Sequence, residues 1–306
     1  SSSRPRVLFL HGADIDASYS AIAHARAFPT HAPNLLYVFH HVNAPVTSEL
    51  RGMRFDVAIL NFDFLAKRTQ PNFENVRERF EFVRDSAAVK IALPQDDYIA
   101  SGFLDAWLYD LGVDYVYSPV EGNPNQLYPK TSQITRIRHA LTGYLEVDAV
   151  RRQTGFAQPF HERRIDLGNR VRRLRQCGGF GYRKAWMNLE FADRARRAGF
   201  TTDVSTSAGD RLIGDDWLKF LGDTKFTVAP PGGSSLNDVD GSINRAIHNY
   251  LREHPDACFE DVRRACYPDA DESRLFKGVG PRFLQAPLLG TVQIMPPDDY
   301  PGRLEP

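Results

Sequence analysis

Several features that mark common protein classes are scarce or missing in this sequence. Its three cysteines, Cys177, Cys258 and Cys266, show no CxxC spacing, which argues against a disulfide framework and favours a reducing, cytoplasmic environment. No apolar run reaches the roughly 18 residues of a membrane span, and the N-terminus has no signal-peptide pattern. The 38 basic and 38 acidic residues cancel, so composition argues against a nucleic-acid partner. We expect a cytoplasmic protein without a membrane span.

The sequence also lacks the motifs of several enzyme classes. It contains no HExxH, no Walker loop and no GxSxG, and no GxGxxG follows a strand. The glycine-rich stretch Gly178–Gly181 is read as a loop and is a weak dinucleotide signal. What remains is a chain of 306 residues with 42% hydrophobic residues, which is long enough for two domains with real cores.

Short apolar runs alternate with helix-length segments through the first half of the chain. Since these runs lack strict alternation, they predict a parallel sheet covered on both faces. Segment 72–85, with apolar residues at helical spacing, is the clearest intervening helix. The predicted strands are Val7–Leu10, Leu35–Phe39, Asp56–Leu60, Val89–Leu93 and Val113–Tyr117, with Ile134–Leu141 as a candidate sixth.

The same rhythm returns in the second half, after a polar connection over 146–164. We predict helices over 183–198 and 235–252, and two domains, 1–150 and 151–306, each with a Rossmann-like arrangement. Ligands of such sheets bind at the carboxyl ends of the strands. The predicted strands here are Ile165–Leu167, Thr202–Val204, Lys225–Val228 and Thr291–Met295.

The segment 225–241 contains a strand, a glycine pair and a predicted helix start in succession. Gly232 and Gly233 would let backbone N–H groups approach a phosphate. Ser234 or Ser235 would cap the predicted helix, with Asp238 in its first turn. The alternative is an ordinary, well-capped turn. Asp240, two residues after Asp238 on a helix, would point away from it, which argues against a shared metal ion.

A second predicted helix opens at Gly280-Pro-Arg-Phe-Leu-Gln285. Pro281 suits the first turn of a helix and leaves Arg282 near its positive end, with Gln285 three residues later on the same face. Together they could hold a phosphate and a ribose hydroxyl; a surface arginine and a capping glutamine are equally open. Arg170 ends the 165–170 strand run and faces the expected cleft, where it could contact a diphosphate.

Polar residues follow the apolar strands of the first half. Because a general base for an acceptor hydroxyl needs a histidine or a carboxylate, the candidates are His11, Asp14 and Asp96. The pair His40-His41 is better explained by packing at a strand end.

A set of motifs in a fixed order resembles bacterial glycosyltransferases of the GT-B type, and more narrowly the family 1 or CgeB-like group. The resemblance covers nearly the whole chain from about the third strand onward. It is carried by the segments Ala92–Tyr98, Leu141–Tyr144, Arg164–Arg170, Phe220–Phe226, Gly233–Asp238, Pro281–Phe283 and Gln293–Met295.

The resemblance implies an α/β protein of two Rossmann-like domains that face each other across a cleft. A hexosyltransferase-like enzyme of this kind takes a nucleotide-sugar donor in the second domain and an acceptor in the first. It needs no metal and no further cofactor, because helix N-termini and basic side chains stabilise the departing diphosphate. The residues matched to donor binding are Arg170, Gly232, Gly233, Ser234, Ser235, Asp238, Arg282 and Gln285.

The chain departs from the family pattern at several positions. Gln285 stands where relatives have a ribose-binding glutamate, Pro231-Gly-Gly stands where they have Glu-Ser-Gly, and an acid they carry near Ser242 is missing. Relatives also continue beyond the point of Pro306, which implies a fragment or a missing closing element. A non-catalytic nucleotide-sugar-binding protein and a sugar-nucleotide epimerase or hydrolase therefore remain alternatives.

Overall fold

The computed structural model of the protein describes residues 4–12, 19–122, 124–141, 147–298 and 300. The chain divides into two units. Of the described residues, the first unit contains 4–12, 21–122, 124–140 and 237–245, and the second contains 19–20, 141, 147–236, 246–298 and 300.

The first unit contains a six-stranded sheet whose neighbouring strands are all parallel. In chain order the strands are β1 (Arg6–His11), β2 (Leu36–His41), β3 (Phe55–Leu60), β4 (Ala87–Ala92), β5 (Tyr115–Ser118) and β6 (Arg136–His139). Their order across the sheet is β2-β1-β3-β4-β5-β6. The predicted parallel sheet and its sixth strand are therefore confirmed. Strand β2 lies on one side of β1 and β3 lies on the other, so the strand order changes direction at β1.

Strand β1 shows why the apolar runs of this half do not alternate. Its residues Val7, Leu8, Phe9 and Leu10 are all buried, because side chains on both faces of the sheet are covered. Phe9, for example, contacts the rings of Phe28 and Phe39, with ring centroids 5.2 and 5.0 Å away.

The helices of the first unit lie between these strands. The predicted helix over 72–85 is interrupted: the chain turns at Phe80, whose fully buried ring packs against Phe64 and His40 at centroid distances of 5.0 and 5.7 Å. The helices are α1 (Tyr19–His31), α2 (Ser48–Gly52), α3 (Phe62–Leu65), α4 (Phe73–Arg79), α5 (Val83–Ser86) and α6 (Ser101–Leu111).

The second unit contains a smaller parallel sheet and a short antiparallel hairpin. Its strands are β7 (Ile165–Arg170), β8 (Thr202–Ser205), β9 (Thr224–Val228), β10 (Gly232–Ser234), β11 (Phe276–Gly278) and β12 (Val292–Ile294). The parallel sheet has the order β12-β9-β7-β8, and β10 pairs with β11. The four predicted strands of this half are confirmed, and the fold is α/β with two parallel, Rossmann-like sheets.

The helices after residue 146 are α7 (Val147–Thr154), α8 (Gly178–Arg197), α9 (Asp215–Gly222), α10 (Ser242–Glu253), α11 (Phe259–Cys266) and α12 (Arg282–Leu288). The stretch 146–164 is therefore not a plain connection, since it contains α7. None of the described helices is long and apolar enough to cross a membrane.

Two predicted helix boundaries were wrong. Helix α8 begins at Gly178 rather than at 183, so the supposed glycine loop is its first turn. Helix α10 begins at Ser242 rather than at 235. The reason is that 232–234 belongs to the hairpin, and residues 237–245 belong to the first unit and pair within it: Asp238 N donates to the Tyr98 carbonyl at 2.9 Å, and Gly102 N donates to the Val239 carbonyl at 2.8 Å.

Candidate functional site

A cavity of about 830 Å³ opens at the carboxyl ends of β7 and β8 in the second unit. Its walls come from 170–176, from 206–217 and from the start of α12. No Asp or Glu occurs among the described residues that line it, and we call it the arginine cavity. Because ligands of parallel sheets bind at this edge, the positive charge predicts an anionic ligand. The arginines that line it are Arg170, Arg172, Arg173, Arg175, Arg211 and Arg282.

Buried Asn169, next to the end of β7, connects two of these arginines. Its Oδ1 accepts hydrogen bonds from Arg170 N at 2.8 Å and from Arg282 Nη1 at 3.0 Å. Its Nδ2 donates to Asn188 Oδ1 at 2.8 Å and to the Val228 carbonyl at 2.9 Å. Asn169 thereby holds the Arg282 guanidinium beside the end of the strand.

Arg282 is further fixed by aromatic packing. Its guanidinium carbon lies 4.8 Å from the centroid of the Trp217 ring, in cation–π geometry. The Trp217 Nε1 donates to Gln285 Oε1 at 3.0 Å. Burial lowers the pKa of Arg282 to about 10, so the side chain remains cationic at neutral pH. Arg282 is thus an oriented cation, as anion recognition requires.

The remaining arginines differ in how far their charge is compensated. Arg170 pairs with Asp203 at 2.8 Å and lies over the Phe220 ring at 4.4 Å. The guanidinium groups of Arg172 and Arg211, in contrast, are exposed and have no hydrogen-bond or ion-pair partner within the part of the chain that the structure describes. The cavity therefore holds positive charge that a ligand can neutralise.

A second cavity, of about 200 Å³, lies at the carboxyl ends of β7 and β9 and shares Arg172 and Arg282 with the first. Since β8 and β9 lie on opposite sides of β7, this is the topological switch point, where ligands of such sheets bind. Lys184 of α8 lines this cavity, which we call the lysine cavity. Burial, together with the nearby charge of Arg282, lowers the pKa of Lys184 to about 8.

The glycine pair has a different role from the predicted one. Gly232 pairs with Gly278 and Gly233 with Lys277 in the antiparallel hairpin, so the turn does not lead into a helix. A Cβ on Gly233 would overlap the carbonyl oxygen of Phe276, and its φ is +127°. Neither glycine lines the arginine cavity or the lysine cavity. Their role as phosphate donors stays a prediction.

The prediction that Ser234 or Ser235 caps the following helix was wrong. Ser234 Oγ donates to the Leu236 carbonyl and accepts from Leu236 N, both at 2.9 Å. Ser235 Oγ accepts from Phe180 N at 3.2 Å and donates to Glu272 Oε2 at 2.7 Å. Both hydroxyls are buried and used within the second unit, because the loop folds back onto the start of α8.

The first turn of α8 is capped by the chain's own carboxylate. Glu272 Oε2 accepts from Gly179 N at 2.6 Å, and Arg263 Nε lies 3.1 Å from Glu272 Oε1. A carboxylate is the group that a helix N-terminus favours. The N–H of Gly179 is therefore already hydrogen-bonded to Glu272.

Asp238 is the residue that caps α10. Its carboxylate oxygens accept from Ile243 N at 3.2 Å and Asn244 N at 3.0 Å. Asp238 is buried and belongs to the first unit, whereas the arginine cavity lies in the second. Burial raises the pKa of Asp238. The structure thus gives Asp238 a structural role, and Asp238 is not among the residues that line the arginine cavity.

In the first unit, His11 ends β1 at the topological switch point between β1 and β3. Its ring lies 5.2 Å from the ring of His41, centroid to centroid. Asp63 Oδ1 accepts from Asn61 Nδ2 and Phe64 N, both at 2.9 Å, and its Oδ2 is buried without a partner among the described residues. Burial lowers the pKa of His11, while the nearby Asp63 charge opposes that effect. A neutral imidazole near a carboxylate suits a general base.

The other two candidate bases are Asp96 and Asp14. Asp96 is exposed, has a φ of 53°, and accepts the Tyr98 hydroxyl at 3.0 Å on its Oδ1. Its carbonyl accepts from Arg68 Nη2 at 2.8 Å. Its carboxylate thus takes part in the structure of its own loop. Asp14 lies outside the described residues.

Of the predicted donor-site residues, Arg170, Arg282 and Gln285 come together in the arginine cavity. Their positions in the sequence predicted them, because Arg170 ends a predicted strand and Arg282 and Gln285 lie at the start of a predicted helix that opens with proline. Three residues of the site were missed. Asn169 lies in the segment Arg164–Arg170 and Lys184 in the predicted helix 183–198, but neither carried a signal of its own, and Trp217 carried no signal beyond a helical apolar position.

The chain matches no protein-family model, no curated protein and no solved structure. Its function must therefore be argued from the two cavities and the residues that form them.

Proposed function

We propose that the protein is a glycosyltransferase of the GT-B type that moves a sugar from a nucleotide-sugar donor to an acceptor hydroxyl or amine without a metal ion. The observation that carries the proposal is the arginine cavity at the carboxyl ends of a parallel sheet. A nucleoside diphosphate is the ligand class that combines several negative charges with a size suited to such a cavity.

The arginines would act on the leaving group. When the bond between the sugar C1 and the diphosphate oxygen breaks, negative charge grows on the diphosphate. Arg172 and Arg211, whose guanidinium groups have no partner within the described residues, and Arg282 can neutralise it through charge-assisted hydrogen bonds. Because Arg282 is already oriented by Asn169 and Trp217, little reorganisation is needed as the charge develops.

The acceptor would be activated by His11. In this scheme the neutral imidazole takes the proton of the acceptor hydroxyl while the acceptor oxygen bonds to the sugar C1 and the nucleoside diphosphate leaves. The nearby Asp63 carboxylate would stabilise the imidazolium that results. Asp14 and Asp96 remain the alternative bases from the sequence.

Ligand binding to the native protein raises its melting temperature, so a thermal-shift panel of UDP, GDP, dTDP and CDP with their sugar esters tests the donor site. A ligand at 100 times its dissociation constant stabilises by about 2.7 kcal/mol. Arg282→Ala should abolish the shift. Arg194→Ala is the matched control, because Arg194 lies on the surface of α8 and pairs with Glu190 of the same helix. A panel in which no nucleotide shifts the melting temperature would remove the basis of the proposal.

A second candidate is a non-catalytic nucleotide-sugar-binding protein, with a sugar-nucleotide epimerase or hydrolase as a third. Gln285 favours the second candidate, because its Oε1 is engaged by Trp217 and it carries no charge for a ribose. Products of the bound donor, followed by chromatography with and without a panel of acceptors, distinguish the three. Acceptor-dependent release of nucleoside diphosphate supports transfer; acceptor-independent turnover supports the third candidate; an intact donor supports the second.

A further inference from the structure

The lysine cavity contains a cation that pairs with no carboxylate among the described residues; of the nearby titratable groups, Arg282 lowers the pKa of Lys184 and Cys177 raises it. The Lys184 ammonium has no hydrogen-bond or ion-pair partner among the residues that the structure describes. Arg282, on the same cavity wall, is also a cation. Most of the other walls are apolar, with Val228, Ala229 and Phe283 among them. A charge in such surroundings is unfavourable unless an opposite charge accompanies it.

The same cavity also contains an unused acceptor. Gln293 Nε2 donates to the Phe283 carbonyl at 3.3 Å, but Gln293 Oε1 is buried without a partner among the described residues. Gln293 and Lys184 both line the cavity. A ligand that satisfies both must offer an anion to the ammonium and an O–H donor to the amide oxygen.

We infer that the lysine cavity binds a sugar that carries a carboxylate, and that the donor is a nucleoside-diphosphate hexuronate. The sugar carboxylate would pair with Lys184 and a ring hydroxyl would donate to Gln293 Oε1, while the diphosphate lies among the arginines of the adjoining cavity. This inference rests on the proposed function and names its donor class.

The competing occupant of the lysine cavity is the diphosphate itself. A phosphate could pair with Lys184, but an ionised diphosphate has no O–H group and would leave Gln293 Oε1 without a partner. A neutral hexose would satisfy Gln293 and leave Lys184 unpaired. Of the diphosphate group, a neutral hexose and a hexuronate, the hexuronate alone supplies both an anion for Lys184 and a hydroxyl for Gln293 Oε1, and pairing should return the Lys184 pKa towards its ordinary value.

Titration calorimetry on two donor series tests the inference: UDP, UDP-glucose and UDP-glucuronate, and GDP, GDP-mannose and GDP-mannuronate. In the series whose diphosphate binds, the hexuronate should bind at least about tenfold more tightly than the hexose, because a charge-assisted hydrogen bond is gained. At pH 8 Lys184 is about half protonated in the free protein, so binding of the hexuronate should take up as much as about half a proton, more than binding of the diphosphate or the hexose; repeating the titration in buffers of different ionisation enthalpy measures this.

Lys184→Met should remove the preference for the hexuronate and the proton uptake while leaving the affinity for the diphosphate and the hexose unchanged within about twofold. Lys219→Met is the matched control, because Lys219 is exposed on α9 and pairs with Asp216. Gln293→Met should weaken hexose and hexuronate alike, and it provides a second variant if Lys184→Met does not fold. Folding is checked by the melting temperature without ligand.

The outcomes separate the two proposals. Binding of UDP or GDP without preference for the hexuronate overturns the inference and leaves the proposed function standing. Equal weakening of the diphosphate and the hexuronate by Lys184→Met also overturns it, since Lys184 would then contact the diphosphate. If neither diphosphate binds, the proposed function fails and the inference fails with it.

Discussion

Arg282 Nη1 donates to Asn169 Oδ1 at 3.0 Å, although the two residues lie on different elements, α12 and β7. This hydrogen bond connects the start of a helix to the end of a central strand. It places a half-buried cation where the arginine cavity and the lysine cavity meet, because Arg282 lines both. The arrangement of the site therefore depends on an uncharged residue that no charge pattern in the sequence indicates.

Asn169→Ala should destabilise the protein by about 2–4 kcal/mol. The change leaves Asn188 Oδ1 and the Val228 carbonyl without their donor and Arg282 without its acceptor, and each buried unsatisfied group costs about 1–3 kcal/mol. Urea unfolding measures the difference. Asn249→Ala is the control, since Asn249 lies on the exposed face of α10 and accepts a long hydrogen bond from Arg252 at 3.4 Å. Equal stability of the two variants would show that Asn169 does not organise the site.

Gly233→Ala should destabilise the protein far more than Gly232→Ala. At Gly233 the φ of +127° is strained for alanine, and the new Cβ would overlap the Phe276 carbonyl oxygen. At Gly232 the nearest atom, the Gly278 carbonyl oxygen, is 3.4 Å from the new Cβ. We expect a loss of about 3 kcal/mol or more for Gly233→Ala and about 1 kcal/mol or less for Gly232→Ala. Similar melting temperatures for the two variants would contradict the assigned hairpin.

Lys184→Met should change how stability depends on pH. The folded-state pKa of about 8 lies below the ordinary 10.5. Below pH 8 both states hold the proton, and the full cost of burying the charge is present. Between about pH 8 and 10.5 the unfolded state binds the proton that the folded state has lost, so wild-type stability rises with pH.

Measured against this wild-type trend, the variant should be more stable by roughly 1–3 kcal/mol below pH 8, and its advantage should shrink between about pH 8 and 10.5. Urea unfolding of both proteins across pH 6.5 to 10.5 provides the comparison. A constant difference across this range would show that the Lys184 pKa is not lowered.

Arg163→Ala and Arg172→Ala should separate stability from ligand binding. Arg163 is buried and donates to backbone carbonyls, including those of Thr224 at 2.8 Å and Leu289 at 2.6 Å. Its loss should lower the free energy of unfolding by about 3 kcal/mol. Arg172 is exposed in the arginine cavity, so its loss should weaken nucleoside-diphosphate binding and reduce the dependence of that binding on salt, with little change in stability.

Unfolding curves and calorimetric titrations on both variants test this division. It fails if Arg172→Ala destabilises as much as Arg163→Ala, or if the folded fraction of Arg163→Ala loses its nucleotide affinity.

Much of the sheet architecture was predictable, because a strand covered on both faces must be apolar at consecutive positions. Val7–Leu10 is such a run and forms β1. The segment 232–241 was not predictable in the same way. It reads locally as a turn and a capped helix, but pairing with 276–278 and with the backbone of Tyr98 and Gly102 prevents helix formation before Ser242.

The candidate site was predictable only in part. Arg170 and Arg282 were found because strand ends and helix starts are local features. Which of the basic residues between 163 and 184 are buried, paired or cavity-lining was not predictable, since a charge in the sequence does not show its partner. Arg163 donates to backbone carbonyls, Arg164 pairs with Asp223, and Lys184 lines a cavity.

The sequence by itself determined the succession of strands and helices, since the spacing of apolar residues and the positions of glycine and proline act over a few neighbours. Only the tertiary structure decided which charges meet. Asn169, Trp217 and Arg282 are far apart in the chain and come together because α9 and the start of α12 pack beside the end of β7. These contacts between residues far apart in the chain determine whether a cation at that strand end is neutralised within the protein or available to a ligand.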